Sequence, residues 1–342
     1  MAKKMTYAGV GVDIDEKDKA ISTLLSSITT TRKGFGASMG GHYAGLIDFG
    51  DSALVLCTDG VGTKIRIAEA LKKYDTVGID CIAMNVNDAL CVGAEPLAFV
   101  DYIAIDKLDS ELTKEIGKGL DAGAEMSNIS IVGGETAVLP ELINGFDLAG
   151  TCLGYVNKDR IILGKNISHG DVIIGLSSSG LHSNGFTLAR KVVEKAGFKY
   201  TDKFPDKLYS GKAIGEVMLT PTRIYVKEIL RLFKEVDVHG LAHITGSGLW
   251  NLPRLKENVR YVIEEPMPPQ PIFSFLQEQG NIDTREMYQT FNMGMGFAVI
   301  VREEDADHAV SLLSKHSDAK VKKVGLIKRG THVEVPSLGL TY

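Results

Sequence analysis

The run Leu54-Val55-Leu56-Cys57-Thr58-Asp59-Gly60-Val61-Gly62-Thr63-Lys64 carries an apolar segment into a loop with a carboxylate, two glycines, a hydroxyl and a lysine. Mg²⁺ takes hard oxygen ligands, and phosphate oxygens are held by backbone N–H groups that glycine lets come close. The loop is therefore a candidate site for phosphate and metal. It is not a Walker A loop, which needs G-x-x-x-x-G-K-[ST]. It is not a dinucleotide fingerprint either, because Ile65 stands where the third glycine would be. The plain alternative is a glycine turn followed by a surface lysine.

A second group of carboxylates lies further on. In a helix read over residues 76 to 92, Asp80, Asn87 and Asp88 fall within an arc of about 100°. Their neighbours Ile79, Cys81, Ile82, Ala83, Met84, Val86 and Leu90 are mostly apolar. Carboxylates on a largely buried helix need a cation or a wall of donors, so the pattern favours metal ligation over a solvated face. Ile129-Ser130-Ile131-Val132 then ends in Gly133-Gly134-Glu135-Thr136. Ligand sites gather at the carboxyl ends of strands in α/β sheets, so Asp59 and Glu135 are expected to face one crevice. Alone, Gly-Gly-Glu would be read as a tight turn.

The third signal lies in the second half, where Val172 to Leu176 leads into Ser177-Ser178-Ser179-Gly180-Leu181-His182-Ser183-Asn184-Gly185. Hydroxyls, exposed amides and a helix start make a cradle suited to a phosphate monoester. Helix capping by Ser183 or Asn184, with His182 packed beneath, is the alternative. Thr245-Gly246-Ser247-Gly248 and Asn292-Met293-Gly294-Met295-Gly296 repeat the glycine-loop theme.

The elements that must position these loops alternate. Ala53 to Cys57, Leu97 to Ile105, Ile129 to Val132 and Leu148 to Val156 read as strands, and residues 76 to 92 and 109 to 126 as helices. The turn-rich stretch from Asn157 to Asp171 interrupts the pattern. A strand at 172 to 176, helices near 185 to 197 and 222 to 235, and a strand at 296 to 301 follow. Tyr200 to Tyr209 reads as a surface loop. With 342 residues, this predicts two domains of α/β or α+β class, residues 1–168 and 169–342. The 44% hydrophobic and 24% charged residues suit a packed globular protein. A net charge of −5 without like-charge runs argues against nucleic acid and membrane surfaces as partners. Cys57, Cys81, Cys91 and Cys152 show no C-x-x-C spacing and read as buried thiols of a reducing cytosol. Neither a signal peptide nor a spanning run is legible, so a cytoplasmic protein is expected.

Taken in order, the blocks are Ala8-Gly9-Val10, Gly11-Val12-Asp13-Ile14-Asp15, Thr58 to Lys64, Asn87-Asp88, Gly93-Ala94-Glu95-Pro96 and Gly133 to Thr136. They continue through His182-Ser183-Asn184-Gly185, Pro221-Thr222-Arg223-Ile224-Tyr225 and Thr290-Phe291-Asn292-Met293-Gly294. Across roughly residues 8 to 330 the chain resembles the aminoimidazole ribonucleotide synthetases, or phosphoribosylformylglycinamidine cyclo-ligases. The Asp59 loop and the Asn87-Asp88 helix are shared with sister ATP-using enzymes, including selenophosphate synthetase and thiamine-monophosphate kinase. The stretch from Gly34 to Gly45 lacks the reactive cysteine of the former. A nucleotide-binding maturation or regulatory subunit is a further alternative.

The resemblance implies an N-terminal domain whose sheet forms a β-barrel across a homodimer, and a C-terminal α/β domain with a mixed sheet. It implies ATP and Mg²⁺ near the dimer contact and a ribonucleotide substrate in the cleft, closed to an imidazole in purine synthesis with release of ADP and phosphate. Carried onto this chain, Asp59 and Asp88 are the expected metal ligands, and Gly60, Gly62, Thr63 and Lys64 the ATP phosphate contacts. Ser183, Asn184, Gly246, Ser247 and Gly248 are expected at the substrate phosphate. Glu135 is a metal or substrate ligand, and His182 a phosphate contact or proton-transfer group. Two departures from the resemblance are Gly40-Gly41-His42-Tyr43, where a phenylalanine is expected after the glycines, and Ser247, where a third glycine is usual.

Overall fold

The computed structural model describes residues 4–28, 37–38, 42–209 and 211–342. Gly40 and Gly41 lie outside the described residues. The first half contains α1 (Ile14–Ser26), β1 (Ala37–Ser38), β2 (Gly45–Phe49), β3 (Ser52–Gly60), α2 (Ile65–Leu71) and α3 (Val77–Leu90). It continues with β4 (Glu95–Ile105), α4 (Ser110–Ser127), β5 (Ser130–Val138) and β6 (Phe146–Asn157). The second half holds β7 (Val172–Ser177), α5 (Phe186–Lys195), α6 (Ile214–Met218), α7 (Val226–Leu232), β8 (Val238–His243) and β9 (Arg260–Ile263). It ends with α8 (Pro271–Gly280), α9 (Thr284–Thr290), β10 (Met295–Val301), α10 (Ala306–His316), β11 (Val321–Lys328), β12 (Val333–Val335) and β13 (Leu340–Thr341).

The first sheet runs β1-β2-β3-β6-β4-β5. Its pairs are antiparallel except β4 with β5, which are parallel and joined by the crossover helix α4. Alternation decides which face is covered. Ala53, Val55 and Cys57 of β3 are buried on one side, while Leu56 and Thr58 stand exposed on the other. Helices α3 and α4 cover the first face and pack closely on each other at paired glycines. A Cβ on Gly78 would stand 2.2 Å from the Leu120 nitrogen, and one on Gly119 3.0 Å from the Gly78 nitrogen.

The second sheet runs β13-β12-β9-β11-β7-β10-β8. Every residue of β8 and β10 is buried, which explains the unbroken apolar run Phe297-Ala298-Val299-Ile300-Val301 of a strand covered on both faces. The N-terminal segment crosses to this half: the Lys4 ammonium lies 2.6 Å from Asp283, and Tyr7 N–H donates to Glu286.

Three expectations need correction. The strand expected to stop at Val132 runs on through Gly133, Gly134 and Glu135 to Val138. Gly134 is there because the Asp101 carboxylate of β4 lies over it, 2.4 Å from where a Cβ would be. The helix expected over 222 to 235 begins only at Val226, since Thr222 to Tyr225 bond to α3 instead of coiling. The stretch from Tyr200 to Tyr209 is not wholly a surface loop, because Phe204 packs in the core against Phe275.

Candidate active site

Asp59 closes β3 and accepts the Gly60 N–H at 2.7 Å. Strand register sets its direction. Asp59 stands opposite Gly150 of β6, and Gly150 opposite Asp101 of β4, so this row faces the helices with buried Cys57, Cys152 and Phe99 two residues back. The next row, Gly60, Ala149, Tyr102 and Glu135, faces the other way. Glu135 therefore does not share a crevice with Asp59 in this chain; they lie on opposite faces of one sheet. A pleat alternates sides at every residue, so this follows from register alone.

Helix α3 crosses behind the Asp59 loop and distributes its polar side chains by angle. Asn85 turns toward β3, donating to the Asp59 and Cys81 carbonyls at 3.1 and 2.8 Å. Asp80 and Asn87, seven residues apart and so two turns along the same stripe, both face the second half. Asp80 accepts Thr222 N–H at 2.7 Å and the Thr222 hydroxyl at 2.6 Å. Asn87 accepts Tyr225 N–H and donates to the Arg223 carbonyl. The Pro221-Thr222-Arg223-Ile224-Tyr225 block is thus laid along α3. Asp88, next in line, hydrogen-bonds His243 Nδ1 at 2.9 Å and keeps 18% of its side chain exposed.

Lys64 does not project from its loop as a free phosphate contact. Its side chain is fully buried, and its three donors go to Asp80 Oδ1 at 2.9 Å, the His182 carbonyl at 3.0 Å and the Thr220 carbonyl at 2.8 Å. An ammonium has three protons, so none remains. Burial lowers its proton affinity, and Asp80 opposes that effect. Asp59 is the contrasting case. It stays accessible, yet its carboxyl is held above the usual carboxylate range, first by loss of hydration and then by the Asp88 charge.

His182 is also buried, and its backbone is left-handed at φ +61°. Its Nε2 accepts Ser179 N–H at 3.2 Å, which puts the ring proton on Nδ1. Burial, then His243, Lys64 and Arg223, hold the ring neutral, well below the ordinary histidine range. A Cβ on Gly296 would touch the ring at 2.5 Å. The ring packs beneath Gly296, and its Nδ1 is buried with no hydrogen-bond partner among the described residues.

The loops around His182 do converge. Ser183 and Thr222 hydroxyls lie 3.2 Å apart, and a Cβ on Gly246 would stand 3.0 Å from Asn184 Oδ1. The Ser183-Asn184 and Gly246-Ser247-Gly248 segments are therefore neighbours at the start of α5, as are Thr63 and Thr187, whose hydroxyls are 3.2 Å apart. Ser247 sits at φ +82°, a left-handed backbone that costs a side chain about 1–2 kcal/mol and explains why a glycine is usual there. Asn251 holds this turn by donating to the Gly246 and Gly248 carbonyls.

Sequence reasoning passed over His243 and Thr222, and it did not give Asp80 a structural partner. Only the apolar surroundings of α3 hinted that its carboxylates needed partners. Among the described residues no group of three or more His, Cys, Asp or Glu side chains stands ready to hold a metal ion.

Both halves match known families: AIR synthase related protein, N-terminal domain, over residues 41–156, and AIR synthase related protein, C-terminal domain, over 168–336. Among solved structures, AaThiL complexed with AMPPCP and TMP covers 96% of each chain at a TM-score of 0.67 and 14% identity. The thiamine-monophosphate kinase from Stenotrophomonas maltophilia K279a covers 94% of this chain and 96% of its own, at a TM-score of 0.62 and 18% identity. These likenesses establish the fold. Fold and family matches together define the class, the AIR synthase related proteins. The phosphoribosylformylglycinamidine cyclo-ligase of Methanosarcina mazei is 52% identical over 326 residues, 95% of this chain and 97% of the relative. That of Methanocaldococcus jannaschii is 52% identical over 319 residues, 92% of this chain and 89% of the relative. The chain belongs to the phosphoribosylformylglycinamidine cyclo-ligase family.

Proposed function

We propose that the cleft between the two sheets carries out the ATP-dependent closure of formylglycinamidine ribonucleotide to aminoimidazole ribonucleotide, with release of ADP and phosphate, in purine biosynthesis. The observation that carries the reading is convergence. The Asp59 loop of one half and the Ser183-Asn184 and Gly246 to Gly248 loops of the other meet across Thr63 and Thr187, in a chain half-identical to named cyclo-ligases along nearly its whole length. Gly60, Gly62 and Thr63 bind the ATP phosphates. Ser183, Asn184 and the Gly246-Ser247-Gly248 turn bind the ribonucleotide phosphate at the N-terminus of α5, where unpaired backbone N–H groups favour an anion.

Mg²⁺ suits Asp59 and Asp88. Both offer hard oxygens, the Asp88 charge raises the cost of ionising Asp59, and Mg²⁺ commonly binds one or two carboxylates together with substrate phosphates. Bound there, it would neutralise charge on the transferring phosphoryl group. The protein's own contribution is positional. An amide oxygen is a poor leaving group until phosphorylated, after which the ribose-bearing nitrogen of the same molecule displaces it. Holding both ends of one substrate lets proximity supply much of the barrier reduction.

A homodimer fits the uncovered face of the first sheet, where Leu56, Val100, Tyr102 and Val132 are 40–65% exposed. Glu135 lies on that face, away from Asp59. Four buried free thiols suit a cytoplasmic setting, and no described helix is long and apolar enough to cross a membrane. The test is direct: purified protein with ATP, Mg²⁺ and formylglycinamidine ribonucleotide should yield ADP and aminoimidazole ribonucleotide in equal amounts. ADP release indifferent to the ribonucleotide would remove the reading.

A further inference from the structure

A fully buried side chain at the junction of the two halves is one that the proposed reaction does not use. Lys64 ends the Asp59 loop, yet its ammonium lies at the junction of three segments: α3 through Asp80, the His182 loop through the His182 carbonyl, and the Pro221 block through the Thr220 carbonyl. Asp80 extends the junction, accepting both the backbone N–H and the hydroxyl of Thr222, whose hydroxyl lies 3.2 Å from that of Ser183. Both members of the ion pair are fully buried, 2.8 Å apart. Burying such a pair is costly, and a hydrophobic pair of similar volume would often hold the fold as well. What a hydrophobic pair could not do is accept and donate to backbone groups of two loops at once.

We propose that Lys64 and Asp80 are positioning residues that lock the ATP loop and the ribonucleotide loop into one register, so that a shift in one is felt by the other. The inference rests on the assignment of the two loops made above. One rigid linkage runs from Asp59 along five residues to Lys64, and from its ammonium to the carbonyl of His182, next to Ser183. The left-handed backbone of His182 is consistent with a segment held from outside, by Lys64 on its carbonyl and Ser179 on its ring. All three Lys64 protons are engaged by the protein, which leaves none for either substrate. The effect of Lys64 is on the distance and angle between the two substrates, and misplacement by about 1 Å can cost about 100-fold in rate.

The experiment uses the full chain carrying Lys64→Met and Asp80→Asn together, which removes both charges while Asn still accepts from Thr222. Each loop keeps its own ligand groups, so KM for ATP and for the ribonucleotide should stay within about threefold while kcat falls by about 10-fold to 100-fold. An unchanged kcat would overturn the proposal, and so would a tenfold rise in KM for ATP at constant kcat, which would make Lys64 a phosphate contact. Should the double variant not fold, Thr222→Val keeps the N–H bond and loses only the hydroxyl; the same split, smaller, is expected, and an unchanged kcat again overturns it. Hydrogen exchange gives a readout free of turnover. Mg²⁺-ATP should slow exchange in Gly60 to Lys64 and in Leu181 to Gly185 of the natural protein, but only in the first segment of the variant. Persistence of both in the variant counts against the linkage. A natural protein without ribonucleotide-dependent ADP release would remove the cyclo-ligase reading, while the exchange comparison would still decide the coupling.

Discussion

Helix α3 carries two aspartates eight residues apart that have opposite fates. Asp80 is fully buried and takes bonds from Lys64 and twice from Thr222. Asp88, two turns on, has one hydrogen bond to His243 and an edge open to water, within the electrostatic reach of Asp59. The residue type and the helix are the same. The difference is access: Asp80 is sealed from water, with three bonds on one oxygen and the Lys64 ammonium against the other, whereas Asp88 keeps an open edge that can take a ligand. The same contrast separates Lys64, with no donor left, from the Gly60 to Thr63 loop beside it, whose Gly62 has open space above its Cα.

The contrast breaks most visibly if the buried side can be cut without loss. Lys64→Met alone leaves Asp80 buried without its cation, and the natural fold should lose about 3–5 kcal/mol. Denaturant unfolding checks this, and a loss below about 1 kcal/mol, the range of an exposed pair, would mean that Asp80 finds water or another donor.

On the exposed side the expected change has the opposite sign and is smaller. The Asp59 carboxyl titrates above its ordinary value, so the folded state binds more protons than the unfolded chain between the two values. Stability is therefore present at low pH and falls as pH rises through the folded pKa, leaving the ionised carboxylate a net cost at neutral pH. Asp59→Asn should raise the melting temperature at pH 7 slightly, and the gain should vanish below the ordinary carboxylate range. A lower melting temperature at pH 7 would show that Asp59 carries structure after all.

This division was only half legible in the residues. The helical spacing of Asp80, Asn87 and Asp88 put them on one face, and burial of that face followed from their apolar neighbours. Which of the three would be tied to the second half and sealed from water depends on Thr222, Tyr225 and His243, more than 130 residues away in the chain, and no local pattern encodes such a distance. Gly133-Gly134 read as a turn because glycine pairs usually are; here they extend within β5, and the Asp101 side chain occupies the space a Cβ on Gly134 would need. Once β5 continues, register alone sends Glu135 to the open face. His182 attracted attention as an imidazole in a polar loop, but its ring packs beneath Gly296 and the polar loop closes around it. Strands β3, β4 and β6 were legible because their alternation is local, and β8 was missed because His239 and His243 interrupt its apolar run.

The account stands on Asp59 and Asp88 being open to a cation from which buried Asp80 is sealed. Calorimetric titration of ATP into the natural protein and into Asp59→Asn, each with and without Mg²⁺, measures this most directly. In the natural protein Mg²⁺ should tighten ATP binding; in Asp59→Asn that gain should disappear while metal-free affinity stays the same or improves, one repulsive charge having gone. A variant that keeps the full Mg²⁺-dependent gain would contradict the assignment and return the metal to other ligands.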